Sequence, residues 1–304
     1  MKQRFYSNGK LFITGEYLVL DGAKAFALPT KFGQDLVAEP NDTKTIRWTS
    51  FDADGTVWFE TEVLLEDIRE NRHTGTAVAD TLVDILHAAV QMNPNFLASE
   101  GFLVTTHLTF PRSWGLGTSS TLVNNIAQWA QVDAYELLWK SFGGSGYDIA
   151  CAQHDSAVIF QRTDAKPVVK TIDFHPSFSN SLYFVYLNKK QNSKTAIANY
   201  RNKKTNLGDA VLRANAIADA ILKTTDAKGF AAQLDAYESL LAPILETPTA
   251  KQQFFPDFNG TVKSLGAWGG DFVLAVSTKD PTAYFQSKGY DTVIGFDEMV
   301  VQKQ

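Results

Sequence analysis

Residues 76–92 place Val78, Leu82, Ile85, Leu86 and Ala89 on one face of a helix, and Asn93-Pro94 stops the run. Two more helices are predicted, from about Ser119 to Ala130 and from Asp133 to Lys140, before the glycine-rich segment 143–146 breaks the pattern. The chain ahead of them is β-rich. Residues 11–20 are aromatic and β-branched but interrupted by Gly15 and Glu16, which predicts two short strands with a bend, and a buried glutamate at that bend needs a partner. Further strands are predicted at 34–39, 45–51, 56–60 and 102–109, the last ended by Pro111. Beyond Cys151 two strands are expected at 156–161 and 167–173, and then the Pro, Ser and Asn residues of 175–180 read as a connection. A domain boundary at 178 divides the chain into domains of 1–178 and 179–304. The second domain starts with a strand at 182–187 and continues through helices near 194–200, 206–224 and 227–245. Strands at 271–277 and 291–296 flank a helix near 281–288, so the class is α+β in both halves.

Composition changes this picture little. With 44% hydrophobic and 20% charged residues the chain is neither disordered nor membrane-like, and its 304 residues suit two domains. A net charge of −5 lacks the basic excess that nucleic acid requires, and no apolar run approaches membrane-spanning length. Neither nucleic acid nor membrane is an expected partner. The single cysteine, Cys151, reads as a buried packing residue and fits a reducing compartment; the N-terminus does not read as a signal peptide, so a cytoplasmic location is expected. Trp129 and Trp139 read as core or helix-packing residues, and the five histidines show no ligand spacing.

The segment Pro111-Arg112-Ser113-Trp114-Gly115-Leu116-Gly117-Thr118-Ser119-Ser120-Thr121 carries the clearest chemistry. A strand, a glycine-rich turn and a helix start follow one another, so the backbone can approach an anion, N–H groups point at it, and hydroxyls can donate or bind magnesium. An ordinary helix N-cap is the alternative. The segment has no Gly-Lys-Ser/Thr ending, and Ser120 stands where the dinucleotide fingerprint has its third glycine, so neither common nucleotide template fits.

Pro111 with Gly115-Leu116-Gly117-Thr118-Ser119 resembles the second motif of the GHMP kinases, the superfamily of galactokinase, homoserine kinase, mevalonate kinase and phosphomevalonate kinase. Asn8-Gly9-Lys10 followed by Gly15-Glu16 is similar to the first motif, with Asn8 in place of proline. Lys263-Ser264-Leu265-Gly266-Ala267-Trp268-Gly269-Gly270-Asp271 is similar to the third, with Trp268 in place of a small residue. Gly144-Ser145-Gly146-Tyr147-Asp148-Ile149-Ala150 resembles the segment that carries the catalytic aspartate of mevalonate and phosphomevalonate kinases. The resemblance covers almost the whole chain. It implies an ATP-binding α+β N-terminal domain and a ferredoxin-like C-terminal domain, with ATP and acceptor meeting in the cleft between them.

The resemblance also implies roles. Gly115, Leu116, Gly117, Thr118, Ser119 and Ser120 would hold the ATP phosphates, and the Ser119 hydroxyl would bind Mg²⁺. Asp148 would orient or deprotonate the acceptor, and Lys10 would keep it ionised and stabilise the transferred phosphoryl group. Glu136 is the nearest candidate for the metal-binding glutamate that precedes the catalytic aspartate in mevalonate kinase. Read without the family, Lys10 is a surface lysine, Asp148 a turn or cap residue, and Glu136 a solvated carboxylate in a first helical turn. The segment 188–195 concentrates cationic and hydroxyl groups suited to an anionic acceptor, or else is a solvated loop. Trp268 is expected to narrow the pocket or move its loop. The reading is an ATP-dependent kinase of mevalonate or phosphomevalonate; a diphosphomevalonate decarboxylase and a non-catalytic metabolite sensor are the alternatives. The partner is a small molecule, and oligomeric state stays open, a homodimer being one possibility.

Overall fold

The β-rich opening extends further than its pattern suggests. In the computed structural model, which describes residues 1–73, 75–163, 166–191, 193–202 and 207–302, β1 (Gln3–Thr14) leads through a 3₁₀ turn at Leu18–Asp21 into β2 (Lys24–Asn41). The second short strand expected within 11–20 is this turn: Gly15 and Tyr17 take φ of 106° and 61°, and Leu18 and Val19 point into the core. There follow β3 (Thr45–Phe51), β4 (Val57–Leu64), α1 (Leu65–Glu70), α2 (Ala77–Met92), β5 (Gly101–Leu108), α3 (Thr118–Ala130), α4 (Ala134–Ser141), α5 (Tyr147–Gln153), β6 (Ala157–Gln161) and β7 (Val168–Ile172). The larger sheet has the order β4-β3-β5-β2-β6-β7, with β1 also on β2.

The remainder comprises β8 (Leu182–Tyr186), α6 (Ser193–Arg201), α7 (Gly208–Ile221), α8 (Ala227–Leu245), α9 (Ala250–Phe254), β9 (Thr261–Leu265), β10 (Phe272–Val276), α10 (Thr282–Ser287), β11 (Val293–Gly295) and α11 (Phe296–Met299). Its antiparallel sheet runs β11-β8-β10-β9, and the βαββαβ succession is that of a ferredoxin-like fold. The α+β class holds in both halves. Of the expected helix 206–224, Asn206 lies outside the described residues. Helices α1, α5, α9 and α11 and strand β9 go beyond the sequence reading: the helices are too short to show a period, and β9 carries a lysine and a serine.

By packing, the chain forms two units: Met1–Gly9, Phe32–Arg112 and Leu116–Gln153, and Lys10–Lys31, Ser113–Gly115 and His154–Gln304. Residue 178 marks a different division, between the strands of the two sheets. In the first unit, Ile46 and Trp48 alternate with exposed Arg47 and meet α2, α3 and α4 through Leu82, Leu86, Val123, Ile126 and Leu137. Val78 lies outside that face, 48% exposed, because α2 turns Ala79 and Val83 inward instead. Trp129 is core, but Trp139 is exposed and only leans on Tyr135, a correction to its reading as a packed residue. Cys151 is fully buried. In the second unit, Val262 and Val273 pack with Phe255, Phe258 and Phe285 on one face of the smaller sheet. Among the described residues no helix is long and apolar enough to cross a membrane.

Candidate active site

Three segments distant in sequence meet at Gly115 in the second unit. Lys10, continuing β1, donates from Nζ to the Gly115 carbonyl at 3.2 Å. Gly115 has φ 70°, and a Cβ there would lie 2.4–2.7 Å from the carboxylate atoms of Asp271, so both conformation and space require glycine. Asp271 is 6% exposed and fixed at both backbone ends, donating N–H to the Lys189 carbonyl (2.7 Å) and accepting from Leu187 N–H (2.8 Å). Its Oδ1 accepts from Gln191 N–H at 3.0 Å. Burial raises the Asp271 pKa, opposed by that N–H and by the ammonium groups of Lys10 and Lys190. Lys189 and Lys190 are exposed beside it, while Asn192 and the side chains of Ser193 and Lys194, also part of the expected cationic segment, lie outside the described residues.

In the first unit, α3 starts after Gly117, which has φ 94° and is therefore a cap without a side chain. No side chain caps this helix, so its first-turn N–H groups can meet an anion. Ser119 is exposed and Thr118 and Ser120 are half-buried, whereas Leu116 is 1% exposed and offers the site only its backbone. A buried polar network anchors the helix. Thr121 Oγ1 donates to Gln34 Oε1 (2.7 Å), Asn125 Nδ2 to the Gln34 carbonyl (2.9 Å), Asn124 Nδ2 to Ser7 Oγ (2.8 Å) and Ser7 Oγ to Asn125 Oδ1 (2.7 Å). Gln153 Nε2 donates to Asn124 Oδ1 at 3.1 Å and so ties α5 to α3. Asp148 sits half-buried in the first turn of α5. Lys10 belongs to the second unit and Asp148 to the first, so their pairing remains an expectation.

Glu136 is not placed with Ser119. Ser119 opens α3, a helix about 20 Å long, whereas Glu136 lies just beyond its other end on α4. There it lines an open depression of about 370 Å³ with Met92, Gln131, Val132, Asp133 and Lys140. A shared metal is therefore corrected to two separate positions, and Glu136 is the first-turn carboxylate of a helix capped by Asp133.

The partner that the Glu16 bend requires is Lys263. Strand alternation turns Lys263 away from the Val262 face, and its Nζ, fully buried, bonds Glu16 Oε1 and the Ser264 carbonyl. Burial raises the Glu16 pKa; the Lys263 charge and the Gly266 N–H oppose it. Tyr237 Oη accepts from Gly15 N–H at 2.6 Å. Glu238, also buried, accepts from Ala250 N–H and Ser264 N–H, both at 3.1 Å, yet burial pushes its pKa up to about 7. The sign follows from the raised value. As pH rises from the ordinary 4.5 towards 7, the unfolded chain gives up this proton first, so Glu238 subtracts from stability over that interval. Urea unfolding at several pH values checks this: Glu238→Gln is expected to flatten the fall, and an unchanged slope would remove Glu238 as its source.

Trp268 leaves the loop and packs among Leu18, Tyr200, Ala214, Tyr237 and Leu240, so its side chain fills an apolar cluster. Its backbone is held at both sides: Trp268 N–H donates to Tyr17 Oη (3.3 Å), and Gln191 Nε2 donates to the Trp268 carbonyl (3.1 Å). The first and third motifs are thus bonded to one another through Glu16 and Tyr17.

No protein-family model matches the chain, and no curated protein does. Solved structures do match over nearly its full length. A mevalonate kinase is 14% identical with TM-score 0.74, over 99% of this chain and 100% of that one. The phosphomevalonate kinase of Streptococcus pneumoniae, in complex with phosphomevalonate and AMPPNP, is 16% identical with TM-score 0.71, over 96% and 99%. The galactokinase of Lactococcus lactis, complexed with galactose, is 14% identical with TM-score 0.69, over 94% and 88%. The chain has the GHMP kinase fold. At such identities the likeness is one of fold, and the residues set on it are this chain's own. Within this GHMP kinase fold the sequence reading gave no role to Asp271, Lys263 or Glu238. Lys263 had a readable signal, a cation amid Val-Lys-Ser-Leu while Glu16 needed a counter-charge; Glu238 had none, because its burial comes from the packing of α8 on β9.

Proposed function

We propose that the chain is an ATP-dependent kinase of a small acidic alcohol or its phosphate, with mevalonate or phosphomevalonate as the acceptor. The observation that carries this reading is the meeting of Lys10, Gly115 and Asp271, one residue from each of three kinase-like motifs. The uncapped start of α3 fits a nucleotide phosphate, and the exposed Ser119 hydroxyl beside it fits the accompanying Mg²⁺. Mg²⁺, when bound, neutralises phosphate oxygens. Asp148 takes the proton from the acceptor hydroxyl, or orients an acceptor phosphate, as its oxygen attacks the terminal phosphorus and ADP leaves. Lys10 offsets the charge that develops on the transferred group. Exposed Lys189 and Lys190 favour an acceptor bearing a carboxylate or phosphate over an uncharged sugar. The sensor alternative drew on Trp268, whose side chain packs into the apolar cluster around Tyr237.

A coupled ADP-release assay with Mg-ATP tests this against mevalonate, phosphomevalonate, diphosphomevalonate, homoserine and galactose, with products identified by mass. ADP and a phosphorylated product are expected from mevalonate or phosphomevalonate alone. Decarboxylated product would identify the decarboxylase. The absence of both turnover and ATP binding would overturn the kinase reading.

A further inference from the structure

With Glu136 at the far end of α3, the carboxylate nearest the glycine-rich turn within the second unit is Asp271, and its setting is unusual. Its carboxylate lies against Gly115, where even a methyl group would collide with it. The residue is 6% exposed, and its main chain is bonded at both ends to the segment 187–189, which fixes its backbone beside Gly115. Oδ1 takes one hydrogen bond, from Gln191 N–H, and Oδ2 has no donor among the described residues. Lys10 donates to the Gly115 carbonyl, and the ammonium groups of Lys10 and Lys190 both act on Asp271 through space. A fixed negative charge therefore stands at the turn proposed to receive phosphates, with one oxygen still able to accept.

Such a charge opposes a bare polyphosphate and favours one that carries a divalent cation. We infer that Asp271 is the residue that makes nucleotide binding depend on the cation: it repels metal-free ATP and faces the Mg²⁺ of Mg-ATP through its free oxygen. The inference rests on the proposed nucleotide site and deepens it. It assigns to the third motif a selective role, while Lys10 supplies affinity for phosphate.

The test is equilibrium binding of AMPPNP by calorimetry, with excess Mg²⁺ or with EDTA, to the full chain and to Asp271→Asn. Asparagine keeps an acceptor oxygen for Gln191 N–H and fits the same space beside Gly115. The wild type is expected to bind Mg-AMPPNP at least about tenfold more tightly than the metal-free form. In Asp271→Asn the ratio is expected to shrink towards one, with metal-free binding strengthened. Equal affinities in the wild type would overturn the inference whether or not the variant folds, and so would a variant that keeps the wild-type ratio. Failure of the wild type to bind either form would instead overturn the nucleotide site itself, so the two failures are distinguishable.

Discussion

Asp148→Asn is expected to lower turnover about 100- to 10,000-fold while ATP binding persists. Asparagine has the shape of aspartate but cannot take the acceptor's proton. The position is well suited to a fixed base: Asp148 lies in the first turn of α5, and α5 is bonded to α3 through Gln153 and Asn124, which is itself bonded to Ser7 on β1. Those bonds run through residues other than Asp148. ADP release in the presence of acceptor measures the rate, and calorimetry with AMPPNP measures the binding. Wild-type turnover in Asp148→Asn would remove the residue from its role. Lys10→Met is expected to show a comparable loss of rate, since the cation also contributes little to acceptor shape but much to the developing charge.

Lys263→Met is expected to cost about 3–5 kcal/mol of unfolding free energy, read from urea denaturation. Lys263 and Glu16 are 0% and 1% exposed, and Glu238 lies buried within the influence of the same ammonium group. Removing the cation strands Glu16, whose second oxygen already has no partner, and withdraws from Glu238 the charge that lowers its pKa. Two further readouts separate this from simple loss of packing. The deficit is expected to shrink as pH falls, because a stranded Glu16 takes up a proton and ceases to be a buried charge. Adding Glu16→Gln to Lys263→Met is expected to recover part of the loss; a double variant as unstable as Lys263→Met would show that packing, not charge, dominates.

Much of this molecule is legible in its sequence because local rules suffice. Helix α2 announces itself by its apolar spacing and its Asn-Pro stop, and α3 by the glycines before it. The need of Glu16 for a partner follows from placing a carboxylate in an apolar bend. The reading fails where the neighbourhood is not local. Residues 17–21 have the composition of a strand but fold as a turn, since Gly15 and Tyr17 take positive φ and Leu18 joins a cluster with Tyr237 and Trp268. The family resemblance offered Glu136 as a metal ligand, yet the α3 helix separates it from Ser119.

Resemblance to a known family supplied the candidate residues Lys10, Ser119 and Asp148, whereas the sequence by itself determined the α+β class, the order of the glycine-rich segments and the buried charge at Glu16. Those depend on residue type, period and turn chemistry, which act over a few positions. Only the tertiary structure decided that Lys263 answers Glu16, that Trp268 packs into a core, and that Asp271 closes on Gly115. Each of these joins segments separated by well over a hundred residues, or turns on which face of a strand or loop is buried. Burial and through-space charge depend on distance in the folded chain, and distance along the sequence does not supply it.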